Sequence, residues 1–313
     1  MSTKALDIEK GSKIDRFTVL RKLGEGGMGS VYLCSYEFDS QVQVAIKILD
    51  DGADKSRFRR EIKVMQKATE KLGKRRSHIV RYLDHGEWNG KMYLAMEYVN
   101  GGSIEDRLKE EKHFDEKTAA WVAIQVVRGL RQANITHRDL KPANVLVSGR
   151  MVQARDGNRE EWKGGTVKIA DFGLAKEEED RNTLLTMSGA VIGTVIYMSP
   201  EQCRSMKSCD VRSDIYSLGC MLYEMCTGCY VFNHESPYDM MNAHMKEEVL
   251  FPRKMSVEMR RILERMLEKD VRRRYQSLIE CERALCCFCE IAIDGVEDTS
   301  TWGKLKRAFG FRK

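Results

Sequence analysis

The chain has 313 residues, 42% of them hydrophobic and 32% charged, which at roughly 150 residues per domain allows about two compact units with a large core. That balance excludes collagen-like, low-complexity and wholly disordered classes. The net charge of +6, from 53 basic against 47 acidic residues, is too mild to argue for nucleic acid as a partner.

From the N-terminus, Met1 to Phe17 lacks the apolar core of a signal peptide, and no later run approaches the ~18 uncharged apolar residues of a spanning helix, so a cytoplasmic protein is expected. Phe17–Leu23, Val31–Ser35 and Val42–Leu49 read as strands, the first two separated by a glycine cluster. Ser56–Leu72 reads as the first helix, with Phe58, Ile62, Met65 and Ala68 at helical spacing. Ile79–Leu83 and Lys91–Tyr98 read as two more strands, with an Asn89-Gly90 turn between them. After Gly101-Gly102 the pattern becomes helical: Glu116–Leu130 places Ala119, Val122, Ala123, Val126, Val127 and Leu130 on one side, and Asp214–Cys226 and Ser256–Leu267 follow. A small strand-rich lobe thus precedes a larger helical one. Ser148–Gly165 is polar and reads as a surface insert. The ten cysteines are expected to be reduced thiols in a cytoplasmic setting; Cys226 and Cys229 have C-x-x-C spacing, and Cys286, Cys287 and Cys289 cluster, but no second pair completes a zinc site.

Leu23-Gly24-Glu25-Gly26-Gly27-Met28-Gly29-Ser30-Val31 has the form G-x-G-x-x-G-x-V, set between two strands rather than between a strand and a helix. Glycines there let backbone N–H groups approach phosphates without side chains in the way. Val44-Ala45-Ile46-Lys47 then places a lysine in an apolar strand, where an ammonium needs a partner; Glu61 on the next helix is the candidate.

His137-Arg138-Asp139-Leu140-Lys141-Pro142-Ala143-Asn144 is followed by Asp171-Phe172-Gly173, then by Ser199-Pro200-Glu201 and Asp214. With this ordered set the chain resembles the eukaryotic-like (Hanks-type) protein kinases from about Phe17 to Leu285. The resemblance implies an α+β, bilobal fold: a small antiparallel-sheet lobe with one main helix at 15–97, a hinge at 98–102 and a larger, mostly helical lobe at 103–292, flanked by an extension at 1–14 and a tail at 293–313. It implies a use for each motif. Lys47, held by Glu61, binds the ATP phosphates; Asn144 and Asp171 ligate Mg²⁺, or Mn²⁺ in its place; Asp139 takes the substrate hydroxyl proton; and Lys141 neutralises charge on the transferred group. Adenine lies between Val31 and Ala45 above and Leu146 below, against the Glu97–Val99 backbone, with Met96 at the gatekeeper position. Phe172, His137, Met65 and Tyr82 match the family's regulatory spine.

Lys141 two residues after Asp139, and Gly193-Thr194 ahead of Ser199-Pro200-Glu201, follow the Ser/Thr pattern, with Thr194 bonded to the catalytic Asp and Lys. Ala190–Gln202 and Arg274-Tyr275-Gln276 are similar to bacterial Ser/Thr kinases, which implies an Arg274–Glu201 ion pair and Asp214 bonded to the catalytic-loop backbone. Ala143 and Ser103 stand where arginine-directed members carry acids, which argues against a strict basic requirement upstream of the target. Arg138 beside Asp139 implies control by loop phosphorylation, with Thr186 and Ser188 as the autophosphorylated positions. Protein substrates are the implied partners, and a homodimer is left open. A catalytically silent ATP-binding scaffold, a dual-specificity enzyme and a small-molecule kinase are the alternatives.

Three features depart from the family. The Leu130–His137 link is short, the 148–165 insert is extra, and the chain ends in a basic stretch, Trp302–Lys313, that could share Trp302, Leu305 and Phe309 on one helical face. That tail fits either a frayed terminus or a contact with a partner or a membrane periphery.

Overall fold

A computed structural model describes residues 8–26, 28–72, 77–149, 165–172, 195–205 and 209–291. Gly27, Thr186, Ser188 and Thr194, residues 150–164 of the insert and the whole 293–313 tail lie outside these. The fold is the expected α+β, bilobal one.

The small lobe is one antiparallel sheet of six strands: β1 Lys13–Ile14, β2 Phe17–Gly26, β3 Gly29–Tyr36, β4 Asp39–Leu49, β5 Tyr82–Trp88 and β6 Lys91–Glu97. Their order across the sheet is β1-β2-β3-β4-β6-β5. Strand alternation sorts side chains to opposite faces. Val44, Ile46 and Ile48 of β4 join Phe17, Tyr32, Cys34 and Tyr93 in a small core of their own. Ala45 and Leu49 face the other way, into the main core with helix α1, Lys55–Leu72. Lys47 shares that second face, which is why a charged residue in an apolar strand meets the helix.

The strand expected at Ile79–Leu83 starts three residues later and runs on as β5 to Trp88. Pairing starts at Tyr82, and Ile79 instead makes a single bridge to Ile169 in the other lobe. Two more backbone bonds complete the junction, Val80 N–H to the Ile169 carbonyl (2.9 Å) and Ile169 N–H to the His78 carbonyl (2.9 Å). An apolar run reads alike as strand or as buried connector; here its backbone partners lie across the lobes. Gly129 makes the approach feasible, since a Cβ at that position would sit 2.5 Å from the His78 carbonyl oxygen.

In the large lobe, α2 (Ile104–Glu111), α3 (Glu116–Ala133), a short 3-10 turn (Pro142–Asn144) and the two-stranded ribbon β7 (Val145–Ser148) and β8 (Thr166–Ile169) come first. Then follow α4 (Pro200–Arg204), α5 (Val211–Thr227), α6 (Pro237–Lys246), α7 (Val257–Met266) and α8 (Leu278–Cys289). Caps set the ends. Ser103 with Asp106, and Ser199 with Gln202, form reciprocal capping boxes, and Asp115 and Asp210 cap α3 and α5. Helix α5 is buried along most of its length and forms the axis of the lobe. The described cysteines are free thiols, most of them buried in the core.

Arg274 is fully buried and donates to both Glu201 oxygens (2.6 and 2.7 Å), to the Glu268 carbonyl (2.7 Å) and to the Arg212 carbonyl (3.0 Å). Burial alone would raise Glu201, but the guanidinium outweighs it and holds the carboxyl below its ordinary range. Removing one partner strands the other charge in the interior. Arg274→Ala is therefore expected to lose about 3–5 kcal/mol in urea unfolding; a loss under about 1 kcal/mol would show that the pair does not anchor the lobe.

His244 is also fully buried, its Nδ1 3.0 Å from the Tyr216 hydroxyl. Burial, reinforced by the Lys269 ammonium, holds its imidazole down at about 3 from an ordinary 6.5. The fold accommodates the neutral ring, so its contribution is complete above pH 6.5 and is lost as pH falls towards 3. Unfolding curves at about pH 7.5, 5.5 and 4.5 should show stability falling with pH, by a few kcal/mol over the full range, and falling less steeply in His244→Gln. Parallel pH dependences in the two proteins would exclude His244 as the cause.

Candidate active site

Lys47 lies at the centre of the interlobe cleft. Its Nζ is 2.7 Å from Glu61 Oε1 on α1 and 3.1 Å from Asp171 Oδ1, just after β8. Lys47 and Glu61 are buried, whereas the Asp171 side chain is 45% exposed and opens to the cleft. Burial would lower the lysine, but Asp171 and Glu61 outweigh it, so its ammonium titrates above the ordinary range and stays charged. Lys47, with burial opposing it, holds the Asp171 carboxyl below its usual range. Glu61 is pushed up by burial, against the pull of Lys47.

Below this triad, the 3-10 turn brings Asn144 to Asp139. The Asn144 amide donates to the Asp139 carbonyl (2.9 Å) and, at 3.4 Å, to its Oδ2. Lys141 Nζ is 3.3 Å from the same Oδ2. Asp139 is only 16% exposed, so its carboxylate faces the cleft in a restricted setting.

A buried aspartate shapes this loop. Asp214 accepts from the His137 N–H (2.7 Å) and the Arg138 N–H (2.9 Å). Burial pushes its carboxyl up to about 7 even though those two amides favour the ionised form. Arg138 (φ 66°) and Asp171 (φ 52°) both take the left-handed backbone conformation, which is uncommon for non-glycine residues and clusters at functional sites. The short link is accommodated here: α3 runs to Ala133, Asn134 closes it in left-handed geometry, and Ile135-Thr136 suffices to reach His137. The His137 and Phe172 rings pack in a tilted contact, their centroids 5.0 Å apart. Met65 is buried in the main core, and Tyr82 packs at the edge of that core.

The glycine loop runs over the cleft. Gly26 pairs with Gly29 across the turn, and Val31 pairs with Lys47 on β4. A Cβ at Gly29 would fall 1.9 Å from the Ile48 carbonyl oxygen, so that glycine serves packing. A Cβ at Gly24 would meet nothing within 4 Å, and one at Gly26 only the Gly29 carbonyl at 3.9 Å. Glu25 is exposed and pairs with Lys22 (2.9 Å). Ala45 pairs in register with Met96, and Val44 with Glu97. Leu23, Met28, Val31 and Leu146 are half-buried apolar residues packed on the main core beside Ala45, Met96 and Val99.

Two contacts escaped the sequence reading. Lys168 on β8 is buried and reaches Glu97 at 2.9 Å, tying the end of β6 to the large lobe. The signal existed, since Lys168 interrupts an apolar strand just as Lys47 does. Gln202 Nε2 donates to the Arg138 carbonyl (2.9 Å), joining the α4 cap to the catalytic loop.

The site suits a divalent cation with hard oxygen ligands. Asn144 spends its amide N–H groups on Asp139, which leaves its carbonyl oxygen, and Asp171 spends one oxygen on Lys47, which leaves the other. No group of three or more His, Cys, Asp or Glu residues forms a metal cage among the described residues. Two protein oxygens, completed by water and phosphate, is the Mg²⁺ pattern.

The protein kinase domain family matches residues 17–285. The chain is 35% identical over 282 residues to the serine/threonine-protein kinase PknB of Mycobacterium tuberculosis, covering 85% of this chain and 42% of that protein. It is 33% identical over 278 residues to a probable serine/threonine-protein kinase of Clostridium perfringens, covering 85% and 37%. It is 34% identical over 246 residues to one of Corynebacterium efficiens, covering 75% and 34%. The chain thus spans well under half the length of these curated relatives. No helix among the described residues is long and apolar enough to cross a membrane. With an ordered match across both lobes, the chain belongs to the Hanks-type protein kinase family.

Proposed function

We propose that the chain transfers the γ-phosphate of ATP to Ser or Thr hydroxyls of proteins, its own activation segment included. The observation that carries this reading is the convergence, in one cleft, of the Lys47–Glu61–Asp171 triad with Asp139, Lys141 and Asn144. Phosphoryl transfer needs placement and charge neutralisation more than covalent chemistry. The permanently charged Lys47 binds the phosphates. Half-buried Leu23, Met28, Val31 and Leu146, with buried Ala45, Met96 and Val99, supply an apolar slot for the base, and the Glu97 and Val99 backbone its polar edge. The open space at Gly24 and Gly26 lets backbone approach the phosphates. Asn144 and Asp171 hold Mg²⁺, which when bound supplies positive charge to the phosphate oxygens.

Asp139 orients the substrate hydroxyl and accepts its proton as the oxygen bonds to phosphorus and the bond to the ADP oxygen breaks. Lys141, 3.3 Å from the Asp139 carboxylate, offsets the charge on the transferring group. That lysine also supports Ser/Thr over Tyr. The full set of charged residues favours an active enzyme over a silent scaffold. We assign Thr194 to the Asp139–Lys141 pair, and Thr186 and Ser188 to autophosphorylation.

Transfer from labelled ATP, with site mapping, tests the reading. Wild type should label itself on Thr186 or Ser188. Asp139→Asn and Lys47→Met should each lose at least about a hundredfold in rate; full activity in either would overturn the assignment. The glycines separate binding from folding. Gly24→Ala should fold with an unchanged melting temperature yet bind ATP more weakly, whereas Gly29→Ala should lower the melting temperature because its methyl meets the Ile48 carbonyl.

A further inference from the structure

Helix α1 carries a stripe of positive charge on its exposed face. Its sequence KSRFRREIKVMQKATEKL has seven basic residues and two acids, and one of those acids, Glu61, is buried on Lys47. Lys55, Arg59, Lys63, Lys67 and Lys71 recur at every fourth position, and all five are exposed. They wind across the outward face, opposite the buried Phe58, Ile62, Met65 and Ala68, over a rise of roughly 24 Å.

The pattern works against the helix. Like charges four residues apart repel. The first turn has no acid, and Lys55 adds a cation at the positive end of the helix dipole. Two exposed helical cations elsewhere do pair within their own helix, Lys109 with Glu105 (2.7 Å) and Arg260 with Glu264 (2.8 Å). None of the five on α1 has an ion-pair partner among the described residues.

We propose that the outward face of α1 is a docking surface for an acidic segment of another polypeptide. Charge complementarity names the chemistry, and three features select a polypeptide over other polyanions. Successive stripe residues rise by about 6 Å, close to the spacing of alternate side chains on an extended chain. The exposed residues of α1 are all polar, so the helix offers a bilayer nothing to insert and nucleic-acid bases no aromatic to stack on. The exposed Glu70 also sits among the cations, where it repels a uniformly anionic surface but not a peptide of mixed sequence.

The test uses the full chain and a fluorescent 16-residue peptide of alternating Glu and Ser, read by anisotropy at low and physiological salt. Binding should weaken at least tenfold in the Arg59→Gln, Lys63→Gln, Lys67→Gln triple variant. It should change less than twofold in a control that loses the same charge elsewhere, at the exposed Lys246, Arg253 and Lys254. The stripe variant removes only repelling surface charges, so its melting temperature should not fall. Absence of peptide binding, or equal losses in both variants, would overturn the proposal. So would stripe-dependent binding to phosphatidylserine vesicles or to a DNA duplex that exceeds peptide binding at matched negative charge. None of these readouts depends on phosphoryl transfer, so an inactive enzyme would leave the outcome intact.

Discussion

Burying the Lys47 ammonium is the constraint on which the cleft depends. A charged group removed from water must find opposite charge or be neutralised. Here two carboxylates converge on it from 14 and 124 residues away in sequence. One comes from the helix that packs on the strand, the other from the end of the ribbon in the second lobe. The ammonium thus joins β4, α1 and the large lobe at one point, and its charge is secure because both partners are fixed by packing. The same point faces the open side of the cleft through Asp171, so what satisfies the fold also presents charge to a ligand.

The large lobe solves a related problem with buried polar residues that hold backbone rather than ligand. Asp214, on the central helix, grips the two amides that begin the catalytic loop. Arg274 and Glu201 lock the first turn of α4 to the start of α5 and to the loop before α8. Gln202 then reaches back to the Arg138 carbonyl. A left-handed backbone at Arg138 is costly on its own, and persists because these contacts over-determine it. Precision at Asp139 is therefore a property of the lobe's interior and not of the loop sequence alone.

Much of this was legible in the residues. The period of Phe58, Ile62, Met65 and Ala68 marked α1, and all four are buried. The six apolar residues assigned to one side of α3 are buried as well, although the helix runs on to Ala133 because Gln132 and Ala133 continue the pattern until Asn134 closes it. Helices α2, α4, α6 and α8 have no clear period in the sequence, since α4 has only five residues and the others are interrupted by charge or by clustered cysteine and methionine. The late start of the strand expected at Ile79–Leu83 has a different cause. Ile79 and Val80 are buried as a strand's residues would be, but the partner of Ile79 is Ile169, which no local pattern could reveal.

By itself the sequence determined the order of the motifs, the residue types at the site and the two-lobed division, because glycine spacing, apolar periodicity and charged residues in apolar strands are local facts of the chain. Only the tertiary structure decided which charges meet. The Lys47 triad, the Lys168–Glu97 tie between β6 and β8, and the grip of Asp214 on the His137 backbone are contacts across distant segments. The physical reason is that electrostatic pairing in a low-dielectric interior depends on distance and burial, which follow from how the lobes pack and not from neighbours in sequence. The unpaired cations of α1 show the same dependence in reverse: their number can be counted in the chain, but only the packed helix shows that they lie exposed together on one outward face.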